Sequence, residues 1–146
     1  MKIHMPARLS LYHFISEVIG VIRGIGTDIV DIRRIKKAIE NPRFLREIYT
    51  EEEISQTKGR PASLAGNFAV KEAVSKALGT GFRGFGPRQI EVLRMDSGAP
   101  YVRLFGEAWK QMKKQNIDRI FVSMSHEADY AVAYAVAESD GEEAGI

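Results

Sequence analysis

Apolar positions change period several times along the chain, and each change marks an element. Val21 to Val30 is a near-continuous apolar run holding two glycines and one acid, Asp28, and it reads as a buried strand. Asp31 follows as an N-cap, with Ile32, Ile35 and Ile39 at helical spacing behind it. Asn41-Pro42 is a second helix start, with proline at the first helical position and Phe44, Leu45 and Ile48 on the apolar side. Thr50 and Glu53, three apart, fit a capping box, so three short helices are expected between Asp31 and Thr57. Pro61 to Leu78 is the strongest helical stretch, rich in alanine and ended by Gly79, a natural residue for the left-handed turn after a helix. A glycine-rich loop follows through Gly79-Thr80-Gly81 and Gly84-Phe85-Gly86-Pro87. Gln89 to Met95 and Tyr101 to Phe105 flank Asp96-Ser97-Gly98, a hairpin signal. Gly106 to Gln115 has helical polarity, with Trp109 and Met112 on one side, and Arg119 to Ser125 pairs with Tyr130 to Ala137 as the last two strands.

This order, without repeated strand–helix–strand units, predicts an α+β fold: a largely antiparallel sheet packed against one long helix and several short ones. One domain spans residues 21–138. Residues 1–20 read as an N-terminal extension, with a short helix from Ser10 to Ile19, or as a start assigned upstream of the true one near Val21. The apolar Leu11 to Ile15 after Lys2 and Arg8 is signal-like, but Glu17 interrupts it and no small-residue cleavage site follows. Residues 139–146 form a polar, acidic tail expected to fray.

Composition narrows the class. The chain has 146 residues, 45% hydrophobic and 27% charged, which suits one globular domain. The absence of cysteine removes disulfides, thiolate metal sites and thiol nucleophiles, and suits an intracellular setting. No apolar stretch reaches the roughly 18–20 residues that span a bilayer. The net charge is +2. It is unevenly spread: from Ile32 to Arg46 the bases Arg33, Arg34, Lys36, Lys37, Arg43 and Arg46 face the single acid Glu40. Such a patch suits nucleic acid, an anionic membrane or an acidic protein, or is simply a solvated helix face. No strand carries the interleaved aromatic and basic residues of a nucleic-acid reader.

Two acids, a lysine and a histidine stand in unusual company. Asp28 interrupts the first strand; it caps the following helix or emerges at the strand end as a metal ligand. Glu72 and Lys76 sit four apart on a helix among Ala69, Ala73 and Ala77, one turn beyond Phe68, either as an ordinary helix ion pair or pointing into a cleft. Asn67, Lys71 and Ser75 form the polar face of that helix. His126 closes Val122-Ser-Met-Ser-His126, where Ser123 and Ser125 add hydroxyls. Gly24-x-Gly26 is a weak phosphate-binding signal, lacking the third glycine of the dinucleotide fingerprint. Acids among apolar neighbours are costly unless paired, and Mg²⁺ with a phosphate would pair them.

Three segments together carry a resemblance: Gly24 to Ile35 (GIGTDIVDIRRI), Phe68 to Gly81 (FAVKEAVSKALGTG) and Val122 to His126 (VSMSH). They closely resemble the signature segments of the 4′-phosphopantetheinyl transferases, of the holo-acyl-carrier-protein synthase type. The resemblance runs from about Ile22 to Glu138. It implies transfer of the 4′-phosphopantetheine arm of coenzyme A, a substrate, to a serine of apo acyl carrier protein, releasing adenosine 3′,5′-bisphosphate. By similarity, Asp28 and Glu72 hold Mg²⁺, and Lys76 neutralises the coenzyme A diphosphate. Gly79 and Gly81 let backbone approach the ligand, and His126 reaches the nucleotide end. Arg34, with Arg33, Lys37 and Arg43, resembles a docking surface for the acidic carrier, and Phe44 supplies an apolar anchor. The resemblance further implies a compact cytoplasmic homotrimer serving fatty acid biosynthesis, with no nucleic-acid or membrane partner. A water polarised at the site, Asp28 and Glu72 are the candidates for the base, the water being favoured. One position departs: many relatives carry arginine where this chain has Asn67, so that either Lys71 or Arg60 compensates at the phosphates or nucleotide binding is weaker. A binding module without turnover is the alternative, and intact Asp28, Glu72 and Lys76 argue against it.

Overall fold

The computed structural model describes residues 20–141. The expectations for the N-terminal extension and its helix, and for most of the acidic tail, lie outside these residues. Five helices and five strands follow one another as β1 (Val21–Asp31), α1 (Ile32–Ala38), α2 (Pro42–Ile48), α3 (Glu51–Thr57), α4 (Pro61–Ala77), β2 (Ile90–Arg94), β3 (Pro100–Leu104), α5 (Gly106–Lys114), β4 (Arg119–His126) and β5 (Tyr130–Ser139), with a single 3₁₀ turn at Pro87–Gln89. The α+β order is as the sequence predicts. The antiparallel strands, however, form two sheets: three strands in the order β1-β5-β4, and the β2-β3 hairpin by itself. Between the free edges of β3 and β4 lies a groove of about 580 Å³ lined by bulky side chains, Tyr101, Trp109 and Phe121 among them, so the hairpin stands beside the larger sheet without joining it.

The helix starts obey local chemistry. Asp31 accepts from the Arg33 amide, Asn41 from the Arg43 amide, and Thr50 and Glu53 complete a reciprocal capping box. Asp31 therefore caps α1, and Asp28 is left free for another role.

The 17 residues of α4 form the centre of the molecule. One side of this helix lies on a surface of small residues. Ala131, Ala133, Ala135 and Ala137 of β5 are buried beneath it, and Gly24 and Gly26 of β1 touch its backbone. A Cβ at Gly26 would overlap the Ala73 carbonyl oxygen, and one at Gly24 the Ala77 oxygen. These glycines thus serve close strand–helix approach, which accounts for Gly24-x-Gly26 without a phosphate. The adjoining side packs Val70 and Val74 against Ile90 and Val92 of the hairpin. Over the N-terminal half, α1 to α3 bring Ile32, Ile35 and Tyr49 onto Leu64 and Ala65.

Because α4 is enclosed on most sides, its polar stripe is buried too. Asn67, Lys71 and Ser75 are fully buried rather than solvated. The Lys71 ammonium donates to Glu53 Oε2 at 2.8 Å and to the carbonyls of Ile90 and Pro87 at 2.6 and 3.1 Å, using all three of its donors. The Asn67 amide donates to Glu53 Oε1 and to the Val92 carbonyl. Lys71 is therefore unable to compensate at any solvent-facing phosphate, and position 67 is a core position in this chain.

Two further differences concern strand faces. β1 is half exposed, not buried: Gly24, Gly26, Asp28 and Val30 face α4, while Ile25 and Ile29 stand outward at 71% and 66% exposure. β5 extends past Ala137 to Ser139, which is buried, so the strand reaches into the segment expected to fray.

Candidate active site

Beyond the close contact at Gly26, one acid from β1 and one from α4 line a common pocket. Asp28 projects from β1 on the α4 side, and Glu72 comes from the neighbouring turn of α4. Both line one pocket of about 440 Å³, together with Phe68, Arg34, Ile35 and Phe44. The Lys76 ammonium sits at its edge, donating to Asp28 Oδ1 at 3.2 Å and to the Thr27 carbonyl at 2.9 Å. Lys76 thus bonds Asp28 instead of forming the helix pair with Glu72. Glu72 has no hydrogen-bonded cation among the described residues. Its carboxyl is pushed above the usual range, first by partial burial and then by the like charge of Asp28, with Lys76 opposing.

Asp28 and Glu72 thus share one pocket, with Lys76 bonded to Asp28 alone. This donor set fits a hard divalent ion that takes one or two carboxylates and completes its shell with water and substrate phosphate. Among the described residues there is no cluster of three or more metal-ligating side chains, so a closed, all-protein cage is not built here.

The pocket continues onto the basic helix. Arg34 and Phe44 line it and also line an adjoining hollow with Lys37, Ala38 and Asn41. Arg34 and Lys37 are exposed, with no salt bridge among the described residues. Arg33 differs, being tied to Asp31 at 2.8 Å and lying over the Tyr130 ring. Arg43 is held by Glu47 at 2.8 Å on the outer face of α2.

Other expected site residues lie elsewhere. Gly79 and Gly81 adopt left-handed φ values of 74° and 57° in the turn that ends α4, where the Gly81 amide donates to the Ser75 carbonyl; neither lines the pocket. Turn geometry accounts for both glycines. His126 is exposed at the end of β4, in register with Ala131, which pairs in turn with Val30 of β1. It thus lies two strands from the acid pocket, about 9–10 Å across the sheet. The wide groove between β3 and β4 is lined by none of the residues expected at the site.

The family model of the 4′-phosphopantetheinyl transferase superfamily matches residues 24–135. The chain belongs to this superfamily. A curated relative from Clostridium botulinum, named holo-[acyl-carrier-protein] synthase, is 53% identical over 122 residues, covering 81% of this chain and 98% of that protein. Among solved structures, the holo-[acyl-carrier-protein] synthase of Neisseria meningitidis superposes with a TM-score of 0.74 at 37% identity, covering 82% of this chain and 100% of that one. The Helicobacter pylori synthase, solved in complex with coenzyme A, gives 0.71 at 36% identity, covering 77% and 98%. The matched span holds Asp28, Glu72, Lys76 and His126, and it leaves residues 1–23 outside.

Sequence reasoning found the pocket's acids and its basic rim. It missed Glu53 as the partner of Lys71, having read Glu53 only as a capping residue, and it missed the buried Glu91, which accepts from Thr50 Oγ1 and Arg103. The signal was present: a polar stripe on a helix whose other faces are apolar has to be either solvated or paired.

Proposed function

We propose that this chain transfers the 4′-phosphopantetheine arm of coenzyme A to a serine hydroxyl of an apo acyl carrier protein, releasing adenosine 3′,5′-bisphosphate. The convergence of Asp28 and Glu72, from two separate elements, on one pocket rimmed by Arg34 and Phe44 carries this reading, and membership of the superfamily supports it.

In the transfer, a bond forms from the serine oxygen to the β-phosphorus of coenzyme A. The phosphorus–oxygen bond to the nucleotide breaks, and the serine proton passes to a water polarised in the pocket. Such a reaction needs in-line positioning and neutralised charge more than covalent help. Asp28 and Glu72 would hold Mg²⁺, which when bound acts as a Lewis acid on the diphosphate oxygens. Lys76 is half exposed and already points at the same space, so its ammonium turns from Asp28 to the diphosphate. Arg34 and Lys37 attract an acidic carrier, and Phe44 offers an apolar contact beside the reacting serine. Asp28→Ala is expected to remove turnover while leaving the fold intact; full activity in that variant contradicts the metal assignment.

We read the outer face of the β1-β5-β4 sheet as a homotrimer interface. Ile25, Ile29, Phe121 and Tyr134 stand on it at 53–71% exposure, alongside Val132 and Val136. A contiguous apolar patch of this kind is unusual on a monomer. His126, at the far edge of the same sheet, is then available to the nucleotide end of a coenzyme A bound at a neighbouring subunit's acids. The cytoplasm and fatty acid biosynthesis are the setting this reading carries.

A further inference from the structure

The acids of the pocket are only as well placed as α4 is. On the side facing β1 and β5, α4 rests on glycines and alanines. Such a surface fixes how near the helix comes, but it has few projecting side chains to stop the helix turning about its own axis. With side chains, a helix has a radius of about 5–6 Å, so a turn of 10° moves a group at its surface by about 1 Å. Displacement on that scale is enough to cost a reaction on the order of 100-fold.

On its other side α4 is clamped. Lys71, adjacent to Glu72, is fully buried and donates to three acceptors on three different segments: Glu53 in α3, Pro87 in the 3₁₀ turn and Ile90 in β2. One turn earlier, Asn67 donates to the other Glu53 oxygen and to Val92 of β2. Glu53 is itself fixed, because Oε2 also accepts from the Thr50 amide in the capping box. Apolar packing of Val70 and Val74 tolerates small rotations. A set of directional bonds to fixed backbone carbonyls does not.

We propose that Lys71, with Glu53 and Asn67, is a positioning network that sets the rotation of α4 and so aims Glu72 at Asp28. This rests on the metal-site reading of Asp28 and Glu72. Lys71 and Glu53 touch neither substrate nor metal, and they act through Glu72.

Stability alone is a poor test, since a buried ion pair contributes little net stability and its replacement by apolar residues of similar size is often neutral. That property separates the two roles. The double variant Glu53→Leu/Lys71→Met removes both charges together and keeps the volume. It is measured beside wild type for thermal midpoint, for Mn²⁺ affinity by electron paramagnetic resonance without coenzyme A, and for kcat and KM towards carrier and coenzyme A. The expected result is a folded protein whose Mn²⁺ affinity and kcat both fall about 10–100-fold, as for loss of groups that orient metal ligands, while KM for the carrier stays within about twofold. Glu53→Asp, which keeps the charge and shortens the arm by one methylene, is the second variant. It is expected to fold and to lower Mn²⁺ affinity and kcat in the same direction by a smaller factor. Wild-type values of both quantities in either folded variant overturn the proposal. Wild-type protein is read first: if it neither binds Mn²⁺ nor modifies a carrier, the functional reading itself fails, an outcome separate from failure of the clamp.

Discussion

Replacing Gly26 by alanine adds a single methyl group at the point where strand and helix backbones meet. Besides overlapping the Ala73 carbonyl oxygen, the new Cβ would lie 2.8 Å from the Ala73 carbonyl carbon and 2.9 Å from the Ala77 nitrogen. Comfortable carbon contacts lie at about 3.5–4.0 Å, so α4 and β1 have to separate by about 1 Å. The obstructing atoms are backbone, and no side chain can swing aside. Overpacking of this kind costs about 1–3 kcal/mol, which for a domain of this size lowers the thermal midpoint by about 2–4 °C per kcal/mol. The same separation widens the gap between Asp28, two residues along β1, and Glu72, next to Ala73. Turnover is therefore expected to fall by about 100-fold. Gly79→Ala is the contrast. Its φ is 74° and nothing lies within 4 Å of its Cβ, so it carries only the left-handed penalty of about 1–2 kcal/mol and leaves the acids in place. Both variants are read by thermal unfolding and by carrier modification. A Gly26→Ala protein as stable and as active as wild type would falsify the account of how strand and helix set the site.

Further outcomes follow from charge and exposure. Glu72 has a raised folded-state pKa, so its ionised form disfavours the metal-free fold above that value, and the penalty disappears as pH falls to the ordinary carboxylate value of 4.5. Glu72→Gln is thus expected to be more stable than wild type at pH 7 in EDTA, with the difference closing near pH 4.5; a variant less stable at pH 7 contradicts this. Arg34→Glu is expected to raise KM for the carrier more than KM for coenzyme A, and equal effects would remove Arg34 from docking. Ile29→Glu places a charge on the outer sheet face and is expected to convert a trimer to smaller species in sedimentation; a monomeric wild type would end the trimer reading.

Local signals in the sequence were enough for the helix starts. Asp31, Asn41 and Thr50 each satisfy amides within three residues of themselves, so no knowledge of the rest of the chain is needed to place them. Asp28 and Glu72 were legible as oddities, acids among apolar neighbours; the resemblance implied a joint role for them, and both line one pocket. What remained hidden depended on distant partners. Lys71 looks like a solvated residue until α3 and β2 close over it, 18 and 19 residues away along the chain. Gly24 and Gly26 look like a weak phosphate-binding signal until α4 lies against them. The outward face of β1 was hidden for a related reason. A strand that is apolar on both faces reads as buried, and only the packing of α4 on one face shows that the other is left uncovered among the described residues.

Group transfer to a carrier changes the carrier's intact mass. Apo acyl carrier protein is incubated with this protein, coenzyme A and Mg²⁺, and a parallel sample contains EDTA. The carrier is expected to gain the mass of one phosphopantetheine arm, and EDTA is expected to abolish the gain. No gain on several acidic carriers, from a folded sample that still binds coenzyme A, would contradict group transfer and leave a binding protein in its place.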